Sequence, residues 1–178
     1  GRIVELAEEK SLELDHDACQ KARSDLTNPR TRLSAEISWL PGVSPRKASQ
    51  LVDRLLQDPM ALRNESGLPT LAHVNLLAAG LELVDGEHDP DDLAEFIQEI
   101  ADLADILSPD DVLRDINEDR IISGFPAITT FDQIDIELSE RKRYYRNAIK
   151  DALDRLPTTM LIEVMTDVVN GATSGGMK

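Results

Sequence analysis

Four proline residues each follow a residue whose side-chain oxygen can cap a helix, and these pairs divide most of the chain into segments. The pairs are Asn28-Pro29, Ser44-Pro45, Asp89-Pro90 and Ser108-Pro109. Proline suits the first position of a helix, where its missing N–H leaves no hydrogen bond unmade, and the preceding side chain accepts from a free amide. Each pair therefore predicts the start of a helix.

Apolar residues recur at helical spacing after these starts and in the segments between them. The clearest example follows Pro90, with Leu93, Phe96, Ile97 and Ile100 on one face. The segment 71–84 is apolar on most sides, which predicts a central helix. No segment alternates for long enough to predict a sheet. The pattern predicts helices over residues 3–14, 17–26, 29–40, 45–56, 71–84, 90–107, 109–122, 132–156 and 157–170.

Composition agrees with a helical core. Of 178 residues, 41% are hydrophobic but only 3% are aromatic, so Leu, Ile, Val and Ala must fill the interior. We predict an all-α fold, an irregular or orthogonal bundle of eight or nine helices. A seam near residues 57–67 divides a predicted N-terminal helical unit, residues 1–57, from a bundle over residues 68–171. The small and polar residues 172–178 predict a flexible tail.

Charge and cysteine content limit the classes of function. The 34 acidic and 19 basic residues give a net charge of −15, which repels nucleic acid and anionic lipid at long range. The single Cys19 cannot form an internal disulfide, and no segment approaches the roughly 20 apolar residues that span a bilayer. We expect a cytoplasmic protein that does not associate with membranes. Because the first residue is Gly1 rather than Met, it is left open whether residues precede it.

Residues 22–36, ARSDLTNPRTRLSAE, contain a corner between two predicted helices. A helix ends in Ala22-x-x-x-Leu26, the segment Thr27-Asn28-Pro29 follows, and Arg32 stands three residues after the proline. This arrangement resembles the end of a J-domain (DnaJ-like). In that family the pattern closes with Tyr-Asp, whereas this chain has Ala35-Glu36 in those places.

The resemblance implies a protein partner and the residues that would contact it. In J-domains a His-Pro-Asp tripeptide follows the second helix and triggers ATP hydrolysis by a DnaK-type chaperone. The corresponding break in this chain reads Asp15-His16-Asp17 and lacks the proline. The resemblance covers about a fifth of the chain. It implies that His16, Asp17, Arg30 and Arg32 bind another protein, such as a DnaK-type chaperone.

A purely structural interpretation of the same corner stands beside the resemblance. Here Thr27-Asn28-Pro29 ends one helix and caps the next, while Arg32 pairs with a neighbouring acid. Both interpretations remain open at this point. Because the tripeptide is incomplete, co-chaperone activity is not expected even where the J-like fold is present.

Residues 40–52 contain a second motif. The segment Leu40-Pro-Gly-Val-Ser-Pro-Arg-Lys-Ala48 resembles the helix-hairpin-helix motif of DNA-binding proteins, Pro-Gly-Ile-Gly-x-x-x-Ala. The resemblance implies that the amides of Gly42 and Ser44 hold a phosphate while Arg46 and Lys47 add positive charge. Ser44 replaces the second glycine, and the net charge of −15 opposes phosphate binding. A tight turn with Ser44 as a helix cap is favoured, and DNA binding is the alternative function.

One dense basic stretch, residues 141–146, interleaves charge with two aromatic residues. It fits an acidic partner, a nucleic-acid strand or the acidic helices of the protein itself, and the net charge favours the last interpretation. Its candidate partner-binding residues are Arg141, Lys142, Arg143 and Tyr144.

Two further groups of polar residues are interpreted as structural. His73 and Asn75, in the apolar central segment, predict a buried hydrogen-bonded pair. Acids at the start of the helix after Pro90 complement its dipole, and their spacing matches neither a calcium loop nor a zinc pair. This second group is His88, Asp89, Asp91, Asp92 and Glu95.

The sequence contains no catalytic signature, glycine-rich phosphate loop or dinucleotide fingerprint. We therefore predict no catalytic residues, no metal site and no cofactor. The expected function is non-catalytic, a protein–protein interaction or regulatory module whose partner is another protein.

Overall fold

The structure is a computed structural model that describes residues 2–84 and 88–175, of which Ser174 and Gly175 are described by their backbone alone. These residues form nine α-helices and one 3-10 helix and contain no strand. The predicted all-α fold is therefore confirmed for the part of the chain described. The helices are α1 Arg2–Lys10, α2 His16–Thr27, α3 Pro29–Ile37, α4 Pro45–Gln57, the 3-10 helix Pro59–Asn64, α5 Thr70–Leu83, α6 Pro90–Asp105, α7 Pro109–Ser123, α8 Phe131–Asp154 and α9 Thr158–Gly175.

All four predicted capping pairs begin helices. In each pair the proline is the first helical residue, and the side-chain oxygen before it accepts a hydrogen bond from an amide of the first turn. Asp58 caps the 3-10 helix in the same way, by accepting from the Ala61 amide at 3.2 Å. That helix was not predicted, because a segment so short has no room for an amphipathic repeat.

Helix ends differ more from the predictions than helix starts do. Helix α1 ends at Lys10 and the chain turns through residues 11–14, where Leu12 is 87% exposed and so gains nothing from helix continuation. Helix α3 ends at Ile37, before the Pro41-Gly42 turn. Helix α9 continues past the predicted stop at residues 170–171 to Gly175. Of the predicted tail, residues 172–175 belong to α9, and residues 176–178 lie outside the described residues.

The central helix is α5, as predicted. It packs against α4, the 3-10 helix, α6 and α8, and α6 in turn packs along α9. The core is mostly aliphatic, with Phe96 and Tyr145 as its fully buried aromatic side chains among the residues described. Leu33 of α3 and Leu51 of α4 belong to the same buried cluster as the later helices. Helices α3 and α4 therefore share one core with the bundle predicted over residues 68–171.

Asn75 is the buried polar residue of α5, at 5% exposure. Its amide nitrogen donates to the backbone oxygens of Ile37 at 2.8 Å and Trp39 at 2.7 Å. These bonds take up two carbonyls at the end of α3. Burial and hydrogen bonding are thus confirmed for Asn75, but its partners are not the neighbouring His73, whose imidazole faces Glu99 of α6 at 4.0 Å.

Candidate functional site

An open cleft of about 800 Å³ lies between α1, the corner that joins α2 to α3, the start of α4 and the end of α7. We name it the N-terminal cleft. Its polar lining consists of Arg2, Thr27, Arg32 and Ser123, and Pro45 also contributes. Its apolar lining consists of Ile3, Val4, Leu6, Ile122 and Phe125. The cleft is therefore an apolar concavity with two arginines.

Helix α1 forms one side of the N-terminal cleft. It packs against α2, and none of its described residues is buried. Leu6 remains 44% exposed, although it belongs to the apolar stripe of this helix. Part of the apolar face of α1 is therefore left open to solvent at the cleft.

The corner between α2 and α3 places Arg32 in the N-terminal cleft. Asn28 caps α3 by accepting from the Arg30 amide at 3.0 Å, and the Thr27 hydroxyl donates to the Arg23 carbonyl at 2.7 Å. The Arg32 Nε donates to the Leu26 carbonyl, and its guanidinium carbon lies 3.8 Å from the centroid of the Phe125 ring. The capping predicted for this corner is confirmed, while these two contacts replace the acidic partner expected for Arg32.

The end of α7 directs Phe125 into the N-terminal cleft. Gly124 adopts φ of 75°, in the left-handed region that glycine enters without steric cost. The amide of Gly124 donates to the Ile121 carbonyl, and the amide of Phe125 donates to the Arg120 carbonyl. These are the two hydrogen bonds of a Schellman motif. The turn ends α7 and leaves the Phe125 ring beneath Arg32.

An ion pair between α7 and α3 fixes this side of the cleft. Arg120 donates from Nε and Nη2 to the Glu36 carboxylate at 2.9 and 2.7 Å, and the two side chains are only 12% and 19% exposed. Arg120 also donates to the Pro126 carbonyl at 3.2 Å. Asn117 exchanges two hydrogen bonds with the backbone of Ile128, 2.7 and 3.1 Å long. The segment after α7 is thus held at both ends.

The charge of this region departs from that of the whole chain. Residues 1–57 carry nine basic and nine acidic side chains, whereas residues 58–178 carry ten basic and 25 acidic ones. The whole net charge of −15 therefore lies in the second part. Arg2 and Arg32 line the cleft, and no Asp or Glu is among the lining residues that the structure describes. The cleft is locally positive in an acidic protein.

The hairpin between α3 and α4 holds an anion from its own chain. Gly42 adopts φ of 73°, and its amide donates to the Asp119 carboxylate at 2.8 Å. This amide is the group that the helix-hairpin-helix resemblance assigns to a phosphate. The Ser44 oxygen accepts from the Lys47 amide as a helix cap, and the Lys47 ammonium pairs with Glu65 at 2.7 Å. The predicted turn and cap are confirmed; Arg46 is exposed.

Helical geometry divides the basic stretch of α8 between two environments. Arg141 donates to the Asn75 side chain at 2.7 Å and lies over the Tyr144 ring. Tyr144 is half-buried. Burial, and to a smaller extent a hydrogen bond with Glu82, raise its pKa to about 12. Lys142 is half-buried, while Arg143 is exposed and lies 3.9 Å from Glu140. The four candidate residues therefore do not share one surface.

The J-like residues are also separated. Asp15 caps α2 by accepting from the Ala18 amide at 2.8 Å, and His16 and Asp17 are exposed in the first turn. Thr27, which lines the cleft, ends the same helix eleven residues later, about 16 Å away. Arg30 is exposed and is not among the lining residues. Of the four residues that the resemblance implied, the structure brings only Arg32 to the cleft.

Of the ten described lining residues only Arg32 was predicted as functional, and Ile122 and Phe125 are among those that were missed. The one available signal was the polarity of α7, where Ile121-Ile122 falls off the buried stripe of Val112 and Ile116. Ile122 is 84% exposed. An apolar pair at the end of a polar helix, directly before Ser-Gly, indicates an uncovered apolar surface.

The acidic residues around Pro90 lie at the start of α6, as predicted from the sequence. Asp89 caps it by accepting from the Asp91 amide at 2.9 Å. Asp91 is also hydrogen-bonded to Asp167 of α9, and this bond, with the negative charge of Asp167, raises the pKa of the Asp91 carboxyl. Residues 2–84 and 88–175 contain no group of three or more His, Cys, Asp or Glu side chains placed to hold a metal ion.

Comparison with family models, curated proteins and solved structures gave no match for this chain. Within the described ranges, none of the helices combines the length and the hydrophobicity needed to cross a bilayer.

Proposed function

We propose that this protein is a non-catalytic interaction module that binds another protein through the N-terminal cleft. The observation that carries the proposal is the exposure of apolar side chains around a concave surface, 84% for Ile122 and 44% for Leu6. Burying apolar surface in a complex gains about 25 cal/mol per Å². Apolar side chains gathered in a cleft are typical of surfaces that a partner covers.

The rigidity of one wall supports a docking role. The Glu36–Arg120 ion pair, the Schellman turn at Gly124 and the stacking of Arg32 on Phe125 fix that wall before any partner arrives. A preformed surface loses little conformational entropy on binding, so more of the contact energy contributes to affinity.

The chemistry of the lining supports a non-catalytic role. Thr27 and Ser123 supply the hydroxyl groups of the cleft, and none of its described lining residues is a His, Asp or Glu that could act as a base. The Thr27 hydroxyl already donates to the Arg23 carbonyl. Hydroxyls without a base are poor nucleophiles, so the lining favours binding over reaction.

DNA binding through the α3–α4 hairpin has less support. Asp119 already accepts the hydrogen bond of the Gly42 amide, and Lys47 is paired with Glu65. A phosphate would have to displace one carboxylate and compete with the other. Phosphate binding also depends on several free cationic contacts, and Arg46 is the exposed cation of this turn.

A DnaK-type chaperone is the partner that the J-domain resemblance implies. Only the sequence supports this partner, and the proline of the tripeptide is missing at Asp15-His16-Asp17. The ATPase rate of such a chaperone, with and without the protein, tests it. An unchanged rate would remove the J-domain role and leave the docking role of the cleft intact.

Site-specific photocrosslinking tests the docking role. A photoreactive amino acid at Ser123 lies in the cleft, and the same group at the exposed Asp151 of α8 serves as the control. We expect a protein that crosslinks from Ser123 but not from Asp151, and that binds when both proteins are purified. Identical products from both positions, or none from Ser123, would contradict the proposal.

A further inference from the structure

The charge of the N-terminal cleft indicates which kind of partner it binds, and this inference rests on the docking role proposed above. Acidic residues outnumber basic ones by 34 to 19, so carboxylates are plentiful on this protein. Arg54, Arg63 and Arg114, for example, each pair with at least one. Arg2 and Arg32 have no carboxylate within 4.0 Å among the described residues, and unlike Arg30 and Arg46, which have none either, both line the cleft.

The contacts of Arg32 hold its guanidinium in place and leave part of it free. Its Nε donates to the Leu26 carbonyl, and its guanidinium carbon lies over the Phe125 ring. Stacking on an aromatic face and one backbone bond orient the group, while its two terminal nitrogens keep their donors. An arginine held in this way is suited to receive a carboxylate from outside the chain.

We propose that the N-terminal cleft binds an acidic amphipathic segment of a partner protein. Apolar side chains of that segment pack against Leu6, Ile122 and Phe125, and a carboxylate pairs with Arg32 and Arg2. The apolar lining favours a polypeptide over a nucleic acid, whose backbone offers phosphates without apolar anchors. A short acidic segment brings few negative charges near this protein, whereas a second copy brings −15, so the mutual repulsion is smaller for the segment.

Titration with three matched peptides tests this proposal. The first is a short amphipathic peptide with Leu and Phe on one face and Asp and Glu between them. The second replaces each acid by its amide, and the third replaces each acid by Lys. Amide chemical shifts of the isotope-labelled protein report both the affinity and the residues contacted.

We expect the acidic peptide to bind with a dissociation constant on the order of tens of micromolar and to shift residues 2–6 and 122–125. The amide peptide is expected to bind about tenfold more weakly and the lysine peptide at least as weakly, and added salt is expected to weaken binding of the acidic peptide. Arg2→Glu is expected to weaken the acidic peptide about fivefold. The matched control Arg30→Glu, another exposed arginine outside the cleft lining, is expected to leave it unchanged.

Three results would overturn the proposal. Equal binding of the acidic and amide peptides at the cleft would show that carboxylates do not contribute to affinity, without contradicting the docking role. Self-association that the cleft substitution Ile122→Asp abolishes would identify a second copy as the occupant. If no peptide changes the chemical shifts of the cleft residues, an acidic partner is excluded. The docking role is then tested separately by crosslinking from Ser123.

Discussion

The side-chain oxygen of Asn75 lies 2.7 Å from the hydroxyl of Tyr145, which donates to it. The same oxygen accepts from Arg141, and the amide nitrogen donates to the carbonyls of Ile37 and Trp39. The Asn75 side chain thus donates two hydrogen bonds to the end of α3 and accepts hydrogen bonds from the middle of α8. Because a buried polar group is costly when it has no partner, this network sets the positions of three helices.

Replacing Asn75 by Ala is therefore expected to destabilise the protein by about 3 kcal/mol or more, since a hydroxyl, a guanidinium and two carbonyls lose a partner together. Chemical denaturation measures the loss. The control Asn147→Ala, on the exposed face of α8, is expected to change stability by less than about 0.5 kcal/mol. Equal effects of the two substitutions would show that the network contributes no stability.

The hairpin glycine provides a second prediction. Gly42 and Gly67 have nearly the same positive φ, 73° and 72°, but differ in surroundings. A Cβ on Gly42 would lie 2.9 Å from the Pro69 ring, whereas one on Gly67 would meet nothing within 4 Å. Gly67→Ala is expected to cost about 1 kcal/mol for the backbone alone, and Gly42→Ala about 2–3 kcal/mol. Denaturation curves measure both, and a smaller loss at Gly42 would contradict the close packing of this turn.

The carboxyl pair between α6 and α9 predicts a pH dependence. The folded protein holds the Asp91 proton more tightly than the unfolded chain, because Asp167 raises its pKa above the ordinary value of 3.8. Stability contributed by this proton is present at low pH and is lost as the pH rises through the raised pKa. Asp91→Asn is therefore expected to raise the melting temperature at pH 7 and to flatten its fall between acidic and neutral pH.

Asp110 is the matched control, since it follows Pro109 as Asp91 follows Pro90. Asp110→Asn removes a negative charge that favours a helix start, so its melting temperature at pH 7 is expected to stay the same or fall. Thermal unfolding monitored by circular dichroism from pH 4 to pH 8 gives both results. A lower melting temperature for Asp91→Asn at pH 7 would contradict the repulsion between Asp91 and Asp167.

Local chemistry explains which parts of the fold could be predicted from the sequence. A capping pair such as Asn28-Pro29 acts within one helical turn, so the sequence alone indicates where α3 starts. Its end depends on Asn75, 38 residues beyond Ile37, which binds the carbonyls there. No local pattern contains that information. Arg141 shows the same limit, because the sequence favoured the protein's own acidic helices as its partner and a buried amide on another helix holds it instead.

The N-terminal cleft could not be predicted for a related reason. Its fixed wall depends on the pair Glu36–Arg120, which joins residues 84 positions apart, and on the stacking of Arg32 over Phe125. The sequence did predict helices over residues 3–14 and 109–122, which contribute to it. The sequence did not indicate that these helices face one another, because that arrangement depends on how α7 packs against α3.

The central claim is that the N-terminal cleft binds the partner, and adjacent isoleucines test it most directly. Ile121 and Ile122 are both exposed, at 71% and 84%, but only Ile122 is among the lining residues of the cleft. Calorimetric titration of the partner crosslinked at Ser123 measures affinity for each Ile→Asp variant, with melting temperatures to confirm folding. We predict that Ile122→Asp weakens binding at least about tenfold and Ile121→Asp less than about twofold. Equal affinities for the two variants would contradict the claim.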